Sequence, residues 1–133
     1  MVLTKIQKQL ISMKFSDAYR ELLENSYIFS FQNLRSNFPK VSSTKMYLFL
    51  MYAISQCEDV EKHIAICYYL YFVEPYIVGA DSLIRWHLLQ ALKISPYNQE
   101  IIKNWILGIY GGNPDCPFSE TELADYRKQL ENS

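Results

Sequence analysis

Residues 42–75 read SSTKMYLFLMYAISQCEDVEKHIAICYYLYFVEP, and no other part of the chain constrains the fold as strongly. Two apolar runs, Met46–Ile54 and Ile64–Val73, are hydrophobic almost all round and therefore predict buried helices. We predict these helices over Lys45–Gln56 and Val60–Glu74, the second ending at a proline. Because only about two or three residues join them, they should fold back as an antiparallel hairpin at the centre of the domain.

Helix start and stop signals extend this pattern to both ends of the chain. The predicted helices outside the hairpin are Thr4–Glu24 with an interruption near Phe15, Tyr27–Phe38, Ser82–Ile94, Gln99–Tyr110 and Glu120–Leu130. Ser16, Asp81 and Asn98 are the predicted N-caps of three of them. In the hairpin, the Ser42–Ser43–Thr44 cluster is the predicted start of the first helix, and Asp59 is the predicted N-cap of the second. Gly111–Gly112 supplies a left-handed stop, and Ser119 opens the last helix with a capping box.

No segment shows the alternation of a half-buried strand. The sequence therefore predicts an all-α fold of six to seven helices in antiparallel pairs, arranged as an irregular bundle or a short α-solenoid. The length of 133 residues fits one domain, residues 1–133, because single cores usually form at about 100–150 residues.

Composition and charge exclude several classes of protein. Half of the residues are hydrophobic, which is far from the composition of disordered chains. The formal net charge is −1, whereas a nucleic-acid-binding domain would be clearly basic. We therefore predict a globular protein that has no nucleic-acid partner.

Cysteine usage and apolar run length bear on the compartment. The three cysteines, Cys57, Cys67 and Cys116, are odd in number and show no CxxC spacing, which is typical of a reducing environment. No signal-peptide pattern is present, and the apolar runs are shorter than the ~20 residues that a membrane span needs. The prediction is a cytoplasmic protein without a membrane partner.

The chain is rich in aromatic residues, with eleven Tyr, seven Phe and two Trp. Each buried Tyr needs a partner for its hydroxyl group, so many of these rings should lie half-buried. They form either a binding face or a tyrosine-rich rim around the core.

The segment Leu88–Asn98, LLQALKISPYN, resembles the end of a tetratricopeptide repeat. Ala91 and Pro96 match the small residue and the proline of that repeat, and Asn98 opens the next helix. Further on, Trp105 and Ile106 depart from the residues that the family prefers. The resemblance covers residues 88–110 and implies antiparallel helix pairs that stack as in a solenoid.

The whole chain is also similar, at the level of a class, to the small helical immunity proteins that neutralise bacterial toxins. The shared features are its size, its cytoplasmic character, its acidic patch and its lack of catalytic motifs. This resemblance implies a partner protein, such as a toxin domain with a basic surface, whose functional site the chain would block.

The candidate chemical residues do not form a familiar catalytic or metal-binding pattern. His63 and Cys67 lie four residues apart on one helical face, but only Cys57 is near enough in sequence to add a metal ligand. Cys116 lies in a turn without the nearby base that a nucleophile requires, and His87 is assigned a structural role. We predict no catalytic residue, no bound metal ion and no cofactor.

Charge is unevenly distributed along the chain. Residues 1–45 carry seven Lys or Arg against three Asp or Glu, whereas residues 111–133 carry five acidic against two basic side chains. Glu58, Asp59 and Glu61 are interpreted as favourable charges at a helix N-terminus. The acidic residues near the C-terminal end either steer a basic partner or form a solvated face.

Three functional hypotheses follow. The first is a non-catalytic protein-binding module, most concretely a cytoplasmic immunity or antitoxin protein, which binds through acidic residues around aromatic anchors. The predicted contact residues are Asp115, Glu120, Glu122, Asp125, Trp105, Tyr110 and Phe118. The second is a scaffold or adaptor that forms a homodimer through Tyr68, Tyr69, Tyr71 and Tyr76. The third is an enzyme with a site at His63 or Cys116.

Overall fold

The computed structural model describes residues 2–132, which contain eight helices and no strand. The helices are α1 (Val2–Ile11), α2 (Phe15–Glu24), α3 (Phe31–Asn37), α4 (Ser43–Gln56), α5 (Val60–Phe72), α6 (Ala80–Ile94), α7 (Gln99–Tyr110) and α8 (Glu120–Glu131). The all-α prediction is confirmed. Within the described range, no helix combines the length and apolar character needed to cross a membrane.

The helix count exceeds the predicted six to seven because the first predicted segment divides in two. Met13 adopts a positive φ of 60°, and the N–H of Lys14 donates to the carbonyl of Gln9 at 2.8 Å. This turn reverses the chain between α1 and α2. Lys14, rather than Ser16, occupies the N-cap position of α2, and its side chain makes no capping hydrogen bond.

The second predicted segment, Tyr27–Phe38, is helical only from Phe31 onward. The hydroxyl of Ser30 accepts a hydrogen bond from the N–H of Asn33 and thereby starts α3. Before this cap the chain is non-helical, and Phe29 is buried between Tyr19 and Phe49. A buried aromatic side chain and a strong N-cap together shorten the helix that periodicity predicted.

Helix α5 has a central position, because it contacts α3, α4 and α6. Its buried apolar residues are Ala65, Ile66, Cys67, Tyr69 and Leu70. Complete burial of a large apolar side chain stabilises the fold by about 1.5–3 kcal/mol. One strip of α5 is covered less completely, since Val60, Ile64 and Tyr68, spaced four residues apart, are only half-buried.

Three of the predicted helix starts are confirmed. The side chains of Ser42 and Asp59 cap α4 and α5, and Ser119 forms a capping box with Glu122 at the start of α8. Asn98 occupies the N-cap position of α7 as predicted, but its side chain makes no capping hydrogen bond, whereas Asp81 lies inside α6, whose N-cap position is Gly79.

Those two side chains have other partners. The carboxylate of Asp81 accepts a hydrogen bond from the Tyr110 hydroxyl at 2.7 Å, and the Asn98 amide donates to the Ser95 hydroxyl. Beyond α7, Gly112 rather than Gly111 has the left-handed conformation, with a φ of 87°.

Candidate functional site

The four acidic residues predicted as a contact surface, here called the α8 patch (Asp115, Glu120, Glu122 and Asp125), are not equivalent in the structure. Asp115, Glu120 and Asp125 are exposed. Glu122 instead forms a bidentate ion pair with Arg85 on α6, with N–O distances of 2.7 and 2.9 Å. These hydrogen bonds from Arg85 lower the pKa of Glu122. Glu122 therefore joins two helices and caps α8.

The three predicted aromatic anchors are buried, which corrects their assignment as contact residues. Trp105, Tyr110 and Phe118 are 8%, 0% and 4% exposed. The Tyr110 hydroxyl is satisfied internally by Asp81, and the Phe118 ring lies 5.0 Å below the guanidinium of Arg85. A side chain that the fold already covers cannot insert into a partner, so these rings belong to the core.

An open groove between α3, α5 and α7 offers the apolar surface that the α8 patch lacks. Its volume is ≈ 640 Å³, within the roughly 300–1,000 Å³ typical of binding sites. Six of its ten lining residues are apolar or aromatic: Phe31, Val60, Ile64, Ala65, Tyr68 and Ile101. The remaining four are Ser30, Gln32, Glu61 and Asn98. We call this feature the apolar groove.

The walls of the apolar groove hold exposed or half-buried rings and aliphatic side chains. Phe31 of α3 stacks on Tyr68 of α5 with ring centroids 5.0 Å apart, and Tyr68 meets the buried Trp105 edge-on at 5.6 Å. Across the groove, Ile101 of α7 is 62% exposed. The groove thus presents packed aromatic surface together with an aliphatic side chain that water still reaches.

One end of the apolar groove is acidic. A second depression, ≈ 350 Å³ in volume, shares Val60, Glu61 and Asn98 with the groove. It adds Glu58 and Asp59, so that three carboxylates line this part, which we call the acidic end. Desolvation, followed by repulsion from Asp59, raises the pKa of Glu61.

Sequence reasoning missed the apolar groove, although two signals were present. Helix α5 is apolar almost all round, and its neighbouring helices do not cover all of this apolar surface. The strip formed by Val60, Ile64 and Tyr68 is therefore left half-buried. On α7, Ile101 stands beside the buried Ile102 and falls outside the buried stripe. Glu58, Asp59 and Glu61 were interpreted only as helix-start charges.

Three titratable side chains, connected by hydrogen bonds, extend from the acidic end into the protein interior. Nδ1 of His63 is 2.8 Å from Nδ1 of His87, and Nε2 of His63 is 2.7 Å from a carboxylate oxygen of Glu58. Both rings are 0% exposed. Desolvation, with a smaller contribution from His63, lowers the pKa of His87 from 6.5 to about 3. We call His63 and His87 the imidazole pair.

The hydrogen-bond geometry defines what the imidazole pair can do. If Glu58 accepts the Nε2 proton of His63, then Nδ1 of neutral His63 accepts the Nδ1 proton of His87. Nε2 of His87 is then an acceptor, and it is buried without a hydrogen-bond partner among the described residues. The three side chains are thus linked by hydrogen bonds, and the buried rings offer no access to a substrate in this conformation.

The cysteines are bound into the structure in different ways. Cys67 is fully buried and its thiol donates to the carbonyl of Ile84, while burial raises the pKa of the thiol well above its usual range. Cys116 is half-buried and exchanges hydrogen bonds with the backbone of Phe118. Within residues 2–132, no group of three or more His, Cys, Asp or Glu side chains is arranged to hold a metal ion.

The tyrosines predicted as a dimer surface do not share one face. Tyr69 is fully buried, Tyr68 and Tyr71 are half-buried, and Tyr76 is exposed beyond the end of α5. Of these four rings, Tyr68 lines the apolar groove.

Comparison with known proteins identifies no family. Neither a protein-family model, nor a curated protein, nor a solved structure matches the chain significantly. The apolar groove and the imidazole pair are therefore the features from which a function is inferred.

Proposed function

We propose that the chain is a non-catalytic protein-binding module that engages its partner through the apolar groove. The observation that carries this proposal is the open groove itself, in which Phe31, Tyr68 and Ile101 leave apolar surface accessible beside an acidic end. Aromatic and aliphatic side chains in a depression are typical of the residues that dominate binding energy at interfaces.

The most concrete form of this module is a cytoplasmic immunity or antitoxin protein. In this form, the groove would seat part of a toxin domain, and the body of the chain would block the toxin's functional site. The α8 patch would then contribute at the rim, where Asp115, Glu120 and Asp125 remain exposed. Rim charges mainly affect the association rate and its salt dependence.

For the architecture, we propose antiparallel helix pairs in an irregular bundle or short solenoid. The resemblance to a tetratricopeptide repeat supports this arrangement. Ala91 is buried on α6, and Pro96 lies in the short link to α7. Contacts between α4 and α5, α5 and α6, and α6 and α7 are those expected of successive stacked helices.

A capture experiment with matched variants tests the proposal. Ile101→Arg places a charge on the groove wall, whereas Leu23→Arg makes the same change at a helical residue of α2 that is 53% exposed and away from the groove. A partner captured from the native lysate should bind the wild type and Leu23→Arg, and Ile101→Arg should weaken its binding more than tenfold. Equal binding to all three proteins would refute the groove as the binding site.

The immunity form has its own test. The gene adjacent to that of this chain would be expressed alone, with the wild type, and with Ile101→Arg. Toxicity relieved by the wild type but not by Ile101→Arg is the expected result. A harmless neighbouring gene, or protection that the variant retains, would contradict this form.

A second candidate function is self-association as a scaffold or adaptor. It is favoured by Tyr68 in the groove and by the adjacent Phe72, which is half-exposed. A monomer–dimer equilibrium in sedimentation that Ile101→Arg abolishes would support it. A mass independent of concentration would remove it.

A further inference from the structure

The charges around the apolar groove indicate what kind of partner it accepts. The residues that line the groove and its acidic end include three carboxylates and, within the described part of the chain, no Lys or Arg. The nearest basic residue on α5, Lys62, is almost fully buried. Its ammonium group donates to Asp59 at 2.7 Å and to the carbonyl of Cys57 at 2.9 Å.

These contacts show which carboxylates remain available. Asp59 is paired with Lys62 and also caps α5, so its charge is largely offset. Glu58 accepts a hydrogen bond from His63 and has no Lys or Arg partner among the described residues. Glu61 forms no ion pair with any described residue. The negative charge of the acidic end therefore resides on Glu58 and Glu61.

The apolar part of the groove adds a second requirement. Ile101 is 62% exposed, and the strip formed by Val60, Ile64 and Tyr68 is half-buried. Covering such surface at about 25 cal/mol per Å² favours an apolar occupant. A free inorganic cation would satisfy only the acidic end, whereas a protein segment can satisfy both parts.

Resting on the function proposed above, we propose that the apolar groove binds a short segment of a partner protein that presents apolar side chains followed by a Lys or Arg. The apolar side chains lie between Phe31, Ile64 and Ile101. The cationic group lies at the acidic end, within reach of Glu61 and Glu58.

Peptide selection tests this chemistry with a defined probe. A random peptide display library is selected on the wild-type protein and counter-selected on Ile101→Arg, so that groove-dependent binders are retained. The enriched sequences should combine apolar residues with a Lys or Arg on one side. Affinities of synthetic enriched peptides are then measured for the wild type and for two charge-reversal variants.

The variants are Glu61→Lys and its matched control Glu24→Lys. Both glutamates are exposed helical residues, and Glu24 lies at the end of α2, outside the apolar groove and the α8 patch. Glu61→Lys should weaken peptide binding about tenfold, and Glu24→Lys should change it less than twofold. Added salt should weaken binding to the wild type more than to Glu61→Lys.

The remaining outcomes separate this proposal from the function on which it rests. Groove-dependent peptides that lack a basic residue, or that bind Glu61→Lys equally well, would overturn the partner chemistry and leave the binding function in place. Failure to enrich any peptide whose binding depends on Ile101 would overturn the occupant proposed here. The capture experiment would then decide the binding function independently. Circular dichroism and thermal unfolding confirm that each variant is folded.

Discussion

The apolar groove and the α8 patch both combine carboxylates with aromatic residues, yet they serve different purposes in this molecule. At the α8 patch, the nearby rings are buried, and Glu122 is bound to Arg85. In the groove, Tyr68 is only half-buried, and Glu61 lacks an ion pair with the described residues. Residue types alone do not identify a binding surface, because what matters is which apolar groups the fold leaves exposed and which charged groups it leaves without an ion pair.

The two regions also differ in the side chain that binds a carboxylate, which is Glu122 in the α8 patch and Glu58 at the acidic end of the groove. Arg85 is a permanent cation, so its pair with Glu122 persists across the ordinary pH range. Glu58 is held by His63, which belongs to a buried chain that includes His87. The α8 side is therefore held by a permanent charge, and the groove side by hydrogen bonds between buried imidazole rings and Glu58.

The largest effect on stability is expected when one of the buried rings that the sequence analysis predicted as contact residues is truncated. Tyr110→Ala should lower the free energy of unfolding by about 3–5 kcal/mol, because it opens a cavity and leaves Asp81 without its hydrogen bond. Urea denaturation measures this change. A loss below about 1 kcal/mol together with lost partner binding would restore Tyr110 as a contact residue.

The second largest effect should be a loss of stability in acid, caused by the buried His87 behind the apolar groove. His87 is held neutral in the fold with a pKa of about 3, whereas its ordinary value is 6.5, so the unfolded chain binds more protons between these values. The contribution of the neutral His87 to the free energy of unfolding is fully present above about pH 6.5. It falls as the pH drops toward 3, by up to about 1.4 kcal/mol per pH unit.

Unfolding curves across this pH range measure that slope, with His87→Leu as the comparison. The variant lowers stability at neutral pH by removing the partner of His63, but it should flatten the slope. An unchanged slope in His87→Leu would assign the acid sensitivity to other groups.

A smaller effect is expected at the ion pair of the α8 side. Glu122→Gln removes the charge from a partly exposed bidentate pair and should cost about 1 kcal/mol. Glu120→Gln, at an exposed residue of the same helical turn, should change stability by less than about 0.5 kcal/mol. Equal losses in the two variants would show that the pair with Arg85 contributes nothing beyond helix-start electrostatics.

The smallest effect on stability should be found in the groove. Ile101→Ala truncates an exposed side chain and should alter the free energy of unfolding by less than about 0.5 kcal/mol. Leu23→Ala is the matched control, and thermal unfolding monitors both. A loss above about 2 kcal/mol for Ile101→Ala would mean that Ile101 is a packing residue, and the contrast between the two regions would disappear.

Local signals in the sequence were sufficient for the helices and several of their caps. The apolar runs of residues 42–75 correctly predicted α4 and α5. The predicted helix start at Ser42–Thr44 and the predicted caps Asp59 and Ser119 are observed. These features depend on neighbours within about one helical turn. Asp81 was assigned wrongly because its partner, Tyr110, is distant in sequence.

The candidate site could be predicted less well. The acidic character of the chain's C-terminal region was visible, but the burial of Trp105, Tyr110 and Phe118 was not. Each of these rings is covered by residues from other helices, so no local pattern distinguishes it from an exposed anchor. The imidazole pair was missed for the same reason, since 24 residues separate His63 from His87.

The sequence by itself determined an all-helical chain with a strongly apolar α5, because helix periodicity and capping act over a few residues. Only the tertiary structure decided that Glu122 is bound to Arg85, that His87 contacts His63, and that one strip of α5 remains open. The reason is physical: burial and electrostatic pairing depend on which helices become neighbours. In this protein, that arrangement separates the residues that hold the fold from those that are free to bind.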